Sequence, residues 1–207
     1  PIRFYNAASS EMFGDTGAQK ADVNTAFRPM SPYATAKAAS FWAVDTYRRA
    51  YGLFACSGIL FNHESPRRGF EFVTRKISSA VARVVTGKTR ELPLGNLEAK
   101  RDWGHAREYV QAMWMMLQQP DPDDYVVATG ETHSVRDFVD VAFSIVGLDY
   151  RDYVKLDLNL HRPAEVNLLL GDYTKARQKL GWHPEIRFEQ LVREMVETDC
   201  KAAGVDL

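Results

Sequence analysis

Tyr33 and Lys37 stand four residues apart in the run SPYATAK, and on a helix that spacing puts both side chains on one face, one turn apart. An ammonium held beside a phenol stabilises the phenolate, the form in which tyrosine takes a proton as a general base. The spacing alone is met more often as an exposed aromatic and an unrelated lysine. Here the pair follows a strand-like run, IRFYNAAS at 2–9, that ends in the cluster SSE, which holds Ser9 and Glu11. In a doubly wound sheet, ligands meet the chain beyond the carboxyl ends of the strands. That context favours chemistry over a solvated face.

The elements that must hold these residues are readable. Ser31 suits an N-cap and Pro32 the first helical position, so a helix is predicted over about 32–50, closed by Gly52. Its apolar members Ala36, Phe41, Val44 and Tyr47 are expected to bury one side. LFACSGILFN at 53–62 reads as a strand buried on both faces, which points to a parallel sheet. Further helices are predicted over about 70–86, 105–119 and 187–203, with a capping box of Ser134 and Asp137 ahead of another and Asp172 capping a helix to Leu180. ELPL, DYVVATG and YVKLDL read as strands between them. Strands alternating with helices give an α/β fold.

The bulk properties narrow the class. The 207 residues are 45 % hydrophobic and 26 % charged, and 26 Lys plus Arg against 27 Asp plus Glu leave a net charge of -1. That balance favours a small-molecule ligand over nucleic acid or an anionic membrane. No apolar run reaches the roughly 18 residues of a membrane span, and PIRFYNAASS lacks the sections of a signal peptide. Cys56 and Cys200 have no partner spacing and read as free thiols of a reducing, cytoplasmic compartment. His105, His133, His161 and His183 show no metal-ligand spacing, so no metal site is expected.

SSEMFG, SPYATAK, GILFNHESPRRG, FVTRKI, LGNLEAKRDWGHAREYVQAMW, ATGETHSVRDF and RPAEVNLLLGD together resemble the GDP-mannose 4,6-dehydratase family, within the extended short-chain dehydrogenase/reductase superfamily. The likeness runs over nearly the whole chain. YxxxK by itself names only the superfamily, whereas NHESPRRG with KRDWG and RPAEV points to the dehydratase. The resemblance implies the C-terminal part of a Rossmann-like doubly wound parallel sheet plus a smaller α/β substrate-binding domain. Residues 1–62 would belong to the NADP-binding domain and 63–207 mainly to the GDP-sugar-binding domain, with about 105–130 returning to the Rossmann sheet.

The implied reaction converts GDP-D-mannose to GDP-4-keto-6-deoxy-D-mannose, NADP taking a hydride from C4 and returning it to C6 while water leaves across C5 and C6. By the same resemblance Tyr33 is the base at the C4 hydroxyl and Lys37 holds the tyrosinate and the nicotinamide ribose. Glu11 takes the C5 proton, made acidic by the new ketone, and protonates the departing C6 hydroxyl. Ser9 donates a hydrogen bond near C4 and C6, in an AASSE run where many relatives carry STSE. His63 and Arg68 lie against the cofactor. Asn62, Val73, Lys76, Leu94, Arg101, Arg162 and Glu165 surround GDP-mannose, arginine forks suiting the diphosphate and a carboxylate the ribose hydroxyls. A homo-oligomer, dimer or tetramer, is implied, with the SPRRG loop reaching a neighbouring subunit's cofactor site.

Neither GxxGxxG nor GxGxxG occurs in the chain, and a dinucleotide-binding domain needs such a turn for its pyrophosphate. In family terms the residues begin near the fifth strand of the sheet, so the chain is expected to be part of a longer one and inactive without the rest. Two other readings stay open: a GDP-sugar reductase or epimerase, against which Glu11 and NHESPRRG count, and a non-catalytic nucleotide- or partner-binding module, which retention of Ser9, Glu11, Tyr33 and Lys37 disfavours.

Overall fold

The computed structural model describes residues 2–160, 166 and 168–207. Among them the order of elements is β1 (Phe4–Ser9), a 3-10 turn (Ser10–Phe13), α1 (Pro32–Tyr51), β2 (Ala55–Leu60), β3 (Asn62–Glu64), α2 (Val73–Val85), β4 (Leu92–Leu94), β5 (Lys100–Arg101), β6 (Trp103–His105), α3 (Ala106–Met116), β7 (Asp124–Val127), β8 (His133–Ser134), α4 (Val135–Ile145), β9 (Val154–Leu156), α5 (Thr174–Leu180) and α6 (Phe188–Ala202). The fold is α/β. It divides into two compact units, the first made of Pro1–His63, Arg101–Thr132 and Ala164–Glu185, the second of Glu64–Lys100, His133–Pro163 and Ile186–Leu207.

The first unit is built on a parallel sheet of order β1-β2-β7. Parallel neighbours need a crossover, and α1 supplies the one between β1 and β2. Strand β2 lies in the middle and is buried along its whole length, because its alternate side chains enter two different cores. Ile59 and Phe61, with Val126 and Ala128, pack with Ala38 and Phe41 of α1. Cys56 and Leu60, with Tyr125 and Val127, pack on the other face with Tyr109, Ala112 and Met116 of α3 and Ala176 and Leu180 of α5. Gly58 is where Tyr5 crosses this second face, since a Cβ there would sit 2.4 Å from the Tyr5 hydroxyl.

Helix α1 begins and ends as its sequence dictates. The Ser31 hydroxyl accepts from the Ala34 N–H at 3.1 Å, Pro32 fills the first turn, and Gly52 closes the helix at φ 64° in the left-handed region. The buried stripe is Ala34, Ala38, Phe41 and Val44. The expectation that Ala36 and Tyr47 belong to it is corrected: both are exposed, because at about 100° per residue each falls roughly half a turn round from Ala38. On α3, likewise, Tyr109 is buried while Val110 and Trp114 are exposed.

In the second unit α2, α4 and α6 pack on one another, burying Ile77, Val81 and Val84, then Phe138, Val139 and Phe143, then Leu191, Val192, Met195 and Val196. Ser134 and Asp137 form the predicted capping box on α4, with bonds of 2.7 and 3.0 Å. Strand β4 pairs in parallel with β9, Leu94 opposite Leu156. Arg75 meets Asp199 at 2.7 Å and Ser78 donates to the same carboxylate at 2.6 Å, tying α2 to α6. Asp172, expected to cap α5, does accept from the Thr174 N–H at 2.8 Å, but Tyr173 is the residue flanking that helix. Among the described residues no helix is long and apolar enough to cross a membrane.

One polar cluster bolts α1 to the sheet. Arg48 takes both oxygens of Asp124 in a forked ion pair and donates to the Ala55 carbonyl at 3.1 Å. Asp124 in turn accepts from the Ser57 N–H at 2.8 Å. The pair is largely buried, so removing one partner strands the other charge. Arg48→Met is expected to lower the unfolding free energy by about 3 kcal/mol, measured by urea unfolding. A loss within experimental error would show that Asp124 finds other compensation.

Candidate active site

Ser9 is the last residue of β1, at the carboxyl end of the parallel sheet, opposite Leu60 of β2. Its hydroxyl accepts from the Glu11 N–H at 3.3 Å and so starts the 3-10 turn that carries Glu11. Ser9 is buried and Glu11 half-buried, so the carboxylate stands at the strand end with part of its surface open. Tyr33 lies in the first turn of α1 and is 56 % exposed, so its hydroxyl is open to a ligand. Lys37, one turn on, has its ammonium 5.7 Å from the Tyr33 ring centre. The same ammonium donates to the carbonyl of Ala7 at 2.8 Å. That bond brings the Tyr33–Lys37 helix face to the strand that ends in Ser9 and Glu11.

Behind this line runs a second polar contact that sequence reading missed. Asn6 of β1 accepts from the Ser40 hydroxyl at 3.1 Å and donates to the Ser57 hydroxyl at 3.2 Å. Ser40 stands one turn past Lys37 on the same helix edge. Strand, helix and neighbouring strand are thereby held in one axial register beside the reactive pair.

Asn62 is half-buried at the start of β3. His63 donates from Nδ1 to the Phe61 carbonyl at 2.9 Å and stacks on Tyr109 with ring centres 4.9 Å apart, which fixes the plane of the imidazole. In the second unit Lys76 of α2 donates to the carbonyl of Pro93, the residue before Leu94 in β4, at 2.7 Å, and Val73 is the first residue of α2. Arg68 pairs with Glu64 at 3.1 Å and lies over the Phe72 ring. Arg101 belongs to the first unit, next to Asp102. Arg162 and Glu165 lie outside the described residues.

Two buried carboxylates were not among the expected site residues. Asp102 accepts from Thr129 N and Thr129 Oγ1, each at 2.7 Å, from Gly130 N at 2.9 Å and from Gly171 N at 3.2 Å. All four lone-pair directions of the carboxylate are filled, and two distant segments, Thr129–Gly130 and Gly171, meet on it immediately after Arg101. Burial pushes its carboxyl up to about 6 against the pull of those donors. Glu64, 1 % exposed, is pushed up to about 7 by burial, with Arg68 and Thr74 pulling the other way. The only signal in the sequence was their place inside KRDWG and NHESPRRG.

Two cations, one in each unit, keep donors uncommitted. An ammonium has three N–H donors and Lys37 commits one to Ala7, which leaves donors for a ribose hydroxyl and a tyrosinate. Arg68 supplies a fork for an anion. Among the described residues no group of three His, Cys, Asp or Glu is placed to hold a metal ion.

The family model described as GDP-mannose 4,6 dehydratase matches residues 1–195. The chain belongs to the GDP-mannose 4,6-dehydratase family. It is 55 % identical over 202 residues to GDP-mannose 4,6 dehydratase 2 of Arabidopsis thaliana, covering 98 % of this chain and 54 % of that one. It is 49 % identical over 215 residues to the Homo sapiens GDP-mannose 4,6 dehydratase, covering 96 % of this chain and 58 % of the relative. The chain thus spans little more than half the length of these curated family members. The fold resembles that of RMD from Pseudomonas aeruginosa complexed with NADPH, with TM-score 0.87 and 22 % identity over 97 % of this chain and 67 % of the other.

The buried carboxylates have a consequence for pH. A folded-state pKa raised above the unfolded value, which is about 4 for a carboxyl, means that the folded protein binds the proton more tightly, so stability is lost as pH rises through the folded value. Relative to Glu64→Gln, whose amide does not titrate, the wild-type protein is expected to lose stability between about pH 4 and about pH 7. Urea unfolding across that range reads the difference, and a flat difference would contradict the raised value. Asp102→Ala, which leaves three backbone N–H groups without their acceptor, is expected to cost about 3 kcal/mol or more at any pH.

Proposed function

We propose that the protein containing this chain is a GDP-mannose 4,6-dehydratase, a hydro-lyase that turns GDP-D-mannose into GDP-4-keto-6-deoxy-D-mannose and water. What carries the reading is the meeting at one strand end of Ser9 and Glu11 with the Tyr33–Lys37 face, through the Lys37 bond to Ala7. NADP, when bound, supplies the acceptor for the C4 hydride and the donor of a hydride to C6, so no net redox change results.

The chain's own residues move the protons. Tyr33, as phenolate, takes the C4 hydroxyl proton while C4 becomes a ketone. The ketone makes the C5 proton acidic, and Glu11, the carboxylate at the end of β1, removes it. The electron pair left at C5 forms the C5–C6 double bond as the C6 hydroxyl departs, and the proton on Glu11 goes with it as water. Hydride addition at C6 and transfer to C5 of the proton that Tyr33 took from the C4 hydroxyl saturate C5 and C6, leaving the 4-ketone and Tyr33 again as phenolate. Ser9 holds the sugar oxygens near C4 and C6, and Lys37 holds the tyrosinate and the nicotinamide ribose.

Asn62, Val73, Lys76, Leu94, Arg101, Arg162 and Glu165 are proposed to hold GDP-mannose, and His63 and Arg68 the cofactor. Residues 1–62 would belong to the NADP-binding domain and 63–207 mainly to the GDP-sugar-binding domain, with about 105–130 returning to the Rossmann sheet. The exposed aromatics Trp42, Tyr47 and Tyr51 on α1 support a homo-oligomer, and the free thiols Cys56 and Cys200 support a reducing, cytoplasmic setting.

The test is incubation of the full-length protein with GDP-mannose and NADP, followed by mass spectrometry for loss of one water from the sugar. Tyr33→Phe and Glu11→Gln are each expected to lower dehydration by at least about 100-fold with GDP-mannose binding nearly unchanged by calorimetry. Loss of binding would make these residues contacts and not catalysts. No water loss from the wild-type protein would overturn the reading.

A further inference from the structure

Arg68 is held so that only one edge of it is offered. A guanidinium is a flat fork with five N–H donors. Its Nε lies 3.1 Å from Glu64 Oε2, and its Cζ stands 3.5 Å from the centre of the Phe72 ring, which covers one face. What is left is the edge carrying the two Nη groups. Arginine forks of this kind bind phosphate and carboxylate through two parallel N–H bonds, and their grip depends on orientation.

Glu64 is fixed from the other side. It is 1 % exposed, and its Oε2 accepts from the Thr74 hydroxyl at 2.5 Å. Thr74 is itself 1 % exposed in the first turn of α2, so the carboxylate stands at the end of a helix where anions are favoured. The end of β3, the turn after it and the start of α2 are joined through this one side chain. Burying a carboxylate is costly even when it is paired, and an apolar residue in its place is often as stable or more so. A burial so complete calls for a use other than stability.

We propose that Glu64 is a positioning residue for Arg68, turning the guanidinium so that its Nη edge meets an anionic or carbonyl group of the bound nicotinamide dinucleotide. This rests on the reading of Arg68 as a cofactor contact. Phe72 restrains the same group by stacking, and Thr74 keeps Glu64 from following the arginine. Glu64 itself touches neither cofactor nor substrate.

The test uses the full-length protein and measures NADP and GDP-mannose dissociation constants by calorimetry for Arg68→Met, Glu64→Gln and the double variant. Arg68→Met is expected to weaken NADP about tenfold, Glu64→Gln by a similar factor, and the double variant no further than Arg68→Met alone, because the two act as one unit. GDP-mannose affinity should stay unchanged throughout, a separation that a merely structural role would not give. If Arg68→Met binds NADP as tightly as the wild type, the cofactor reading of Arg68 fails and the proposal with it. If Arg68→Met weakens NADP but Glu64→Gln does not, or the two losses add, the proposal alone is overturned. Should Glu64→Gln fail to fold, Thr74→Val carries the test by freeing the carboxylate: a severalfold weaker NADP affinity supports the proposal and an unchanged one overturns it.

Discussion

The hydrogen bond from the Lys37 ammonium to the carbonyl of Ala7 is the contact on which the candidate active site depends. It crosses from helix to strand at the point where the backbone of β1 is about to leave the sheet. Without it, the Tyr33–Lys37 pair would be a feature of an exposed helix face, and Ser9 and Glu11 a feature of a turn. The bond is possible because parallel pairing of β1 with β2 forces a helical crossover between them. That crossover lays α1 along β1, and the forked Arg48–Asp124 pair fixes its far end. The Ser40–Asn6 contact fixes its middle. Three polar ties along one helix set an axial position that apolar packing alone would leave free to slide.

Buried charge is used sparingly and at junctions. Asp102 gathers the N–H groups of Thr129, Gly130 and Gly171, and Glu64 joins the end of β3 to the turn and helix that follow. Asp199 holds Arg75 and Ser78 of α2 from α6. Asp102 and Asp199 collect donors from segments distant in sequence, and Glu64 from the turn and helix that follow it, which an apolar residue of the same volume cannot do. Burial raises the carboxyls of Asp102 and Glu64, so the ordering of these segments is obtained against a desolvation cost.

The chain belongs to the GDP-mannose 4,6-dehydratase family, and the proposed chemistry lies at the carboxyl end of its parallel sheet. The sheet offers its carboxyl edge, a 3-10 turn carries the carboxylate, and a long helix carries the phenol and the ammonium. Glu11 and Lys37 stand half-buried and Tyr33 exposed at that edge, and the Asn6 and Ser40 groups that tie helix to strand are half-buried beside them. In the second unit Arg68 is held between the buried Glu64 and the exposed ring of Phe72.

Local rules determined much of this protein from sequence alone. Ser31, Pro32 and Gly52 set both ends of α1, Ser134 and Asp137 start α4, and the unbroken apolar run of β2 announced burial on both faces, because caps and side-chain period depend on neighbours within a few residues. The pairing of Tyr33 with Lys37 was legible for the same reason. The tertiary structure decided what depends on distant partners. Ala36 and Tyr47 look as apolar as Ala38 and Phe41, and only the placement of α1 on the sheet settles which edge is covered. Nothing local marks Asp102 as buried, since its donors come from segments 27 and 69 residues away in the chain. Asn6, Ser40 and Ser57 are ordinary polar residues until the crossover brings them together. Contacts that close long loops carry no short-range signature, and the residues that orient this site are of that kind.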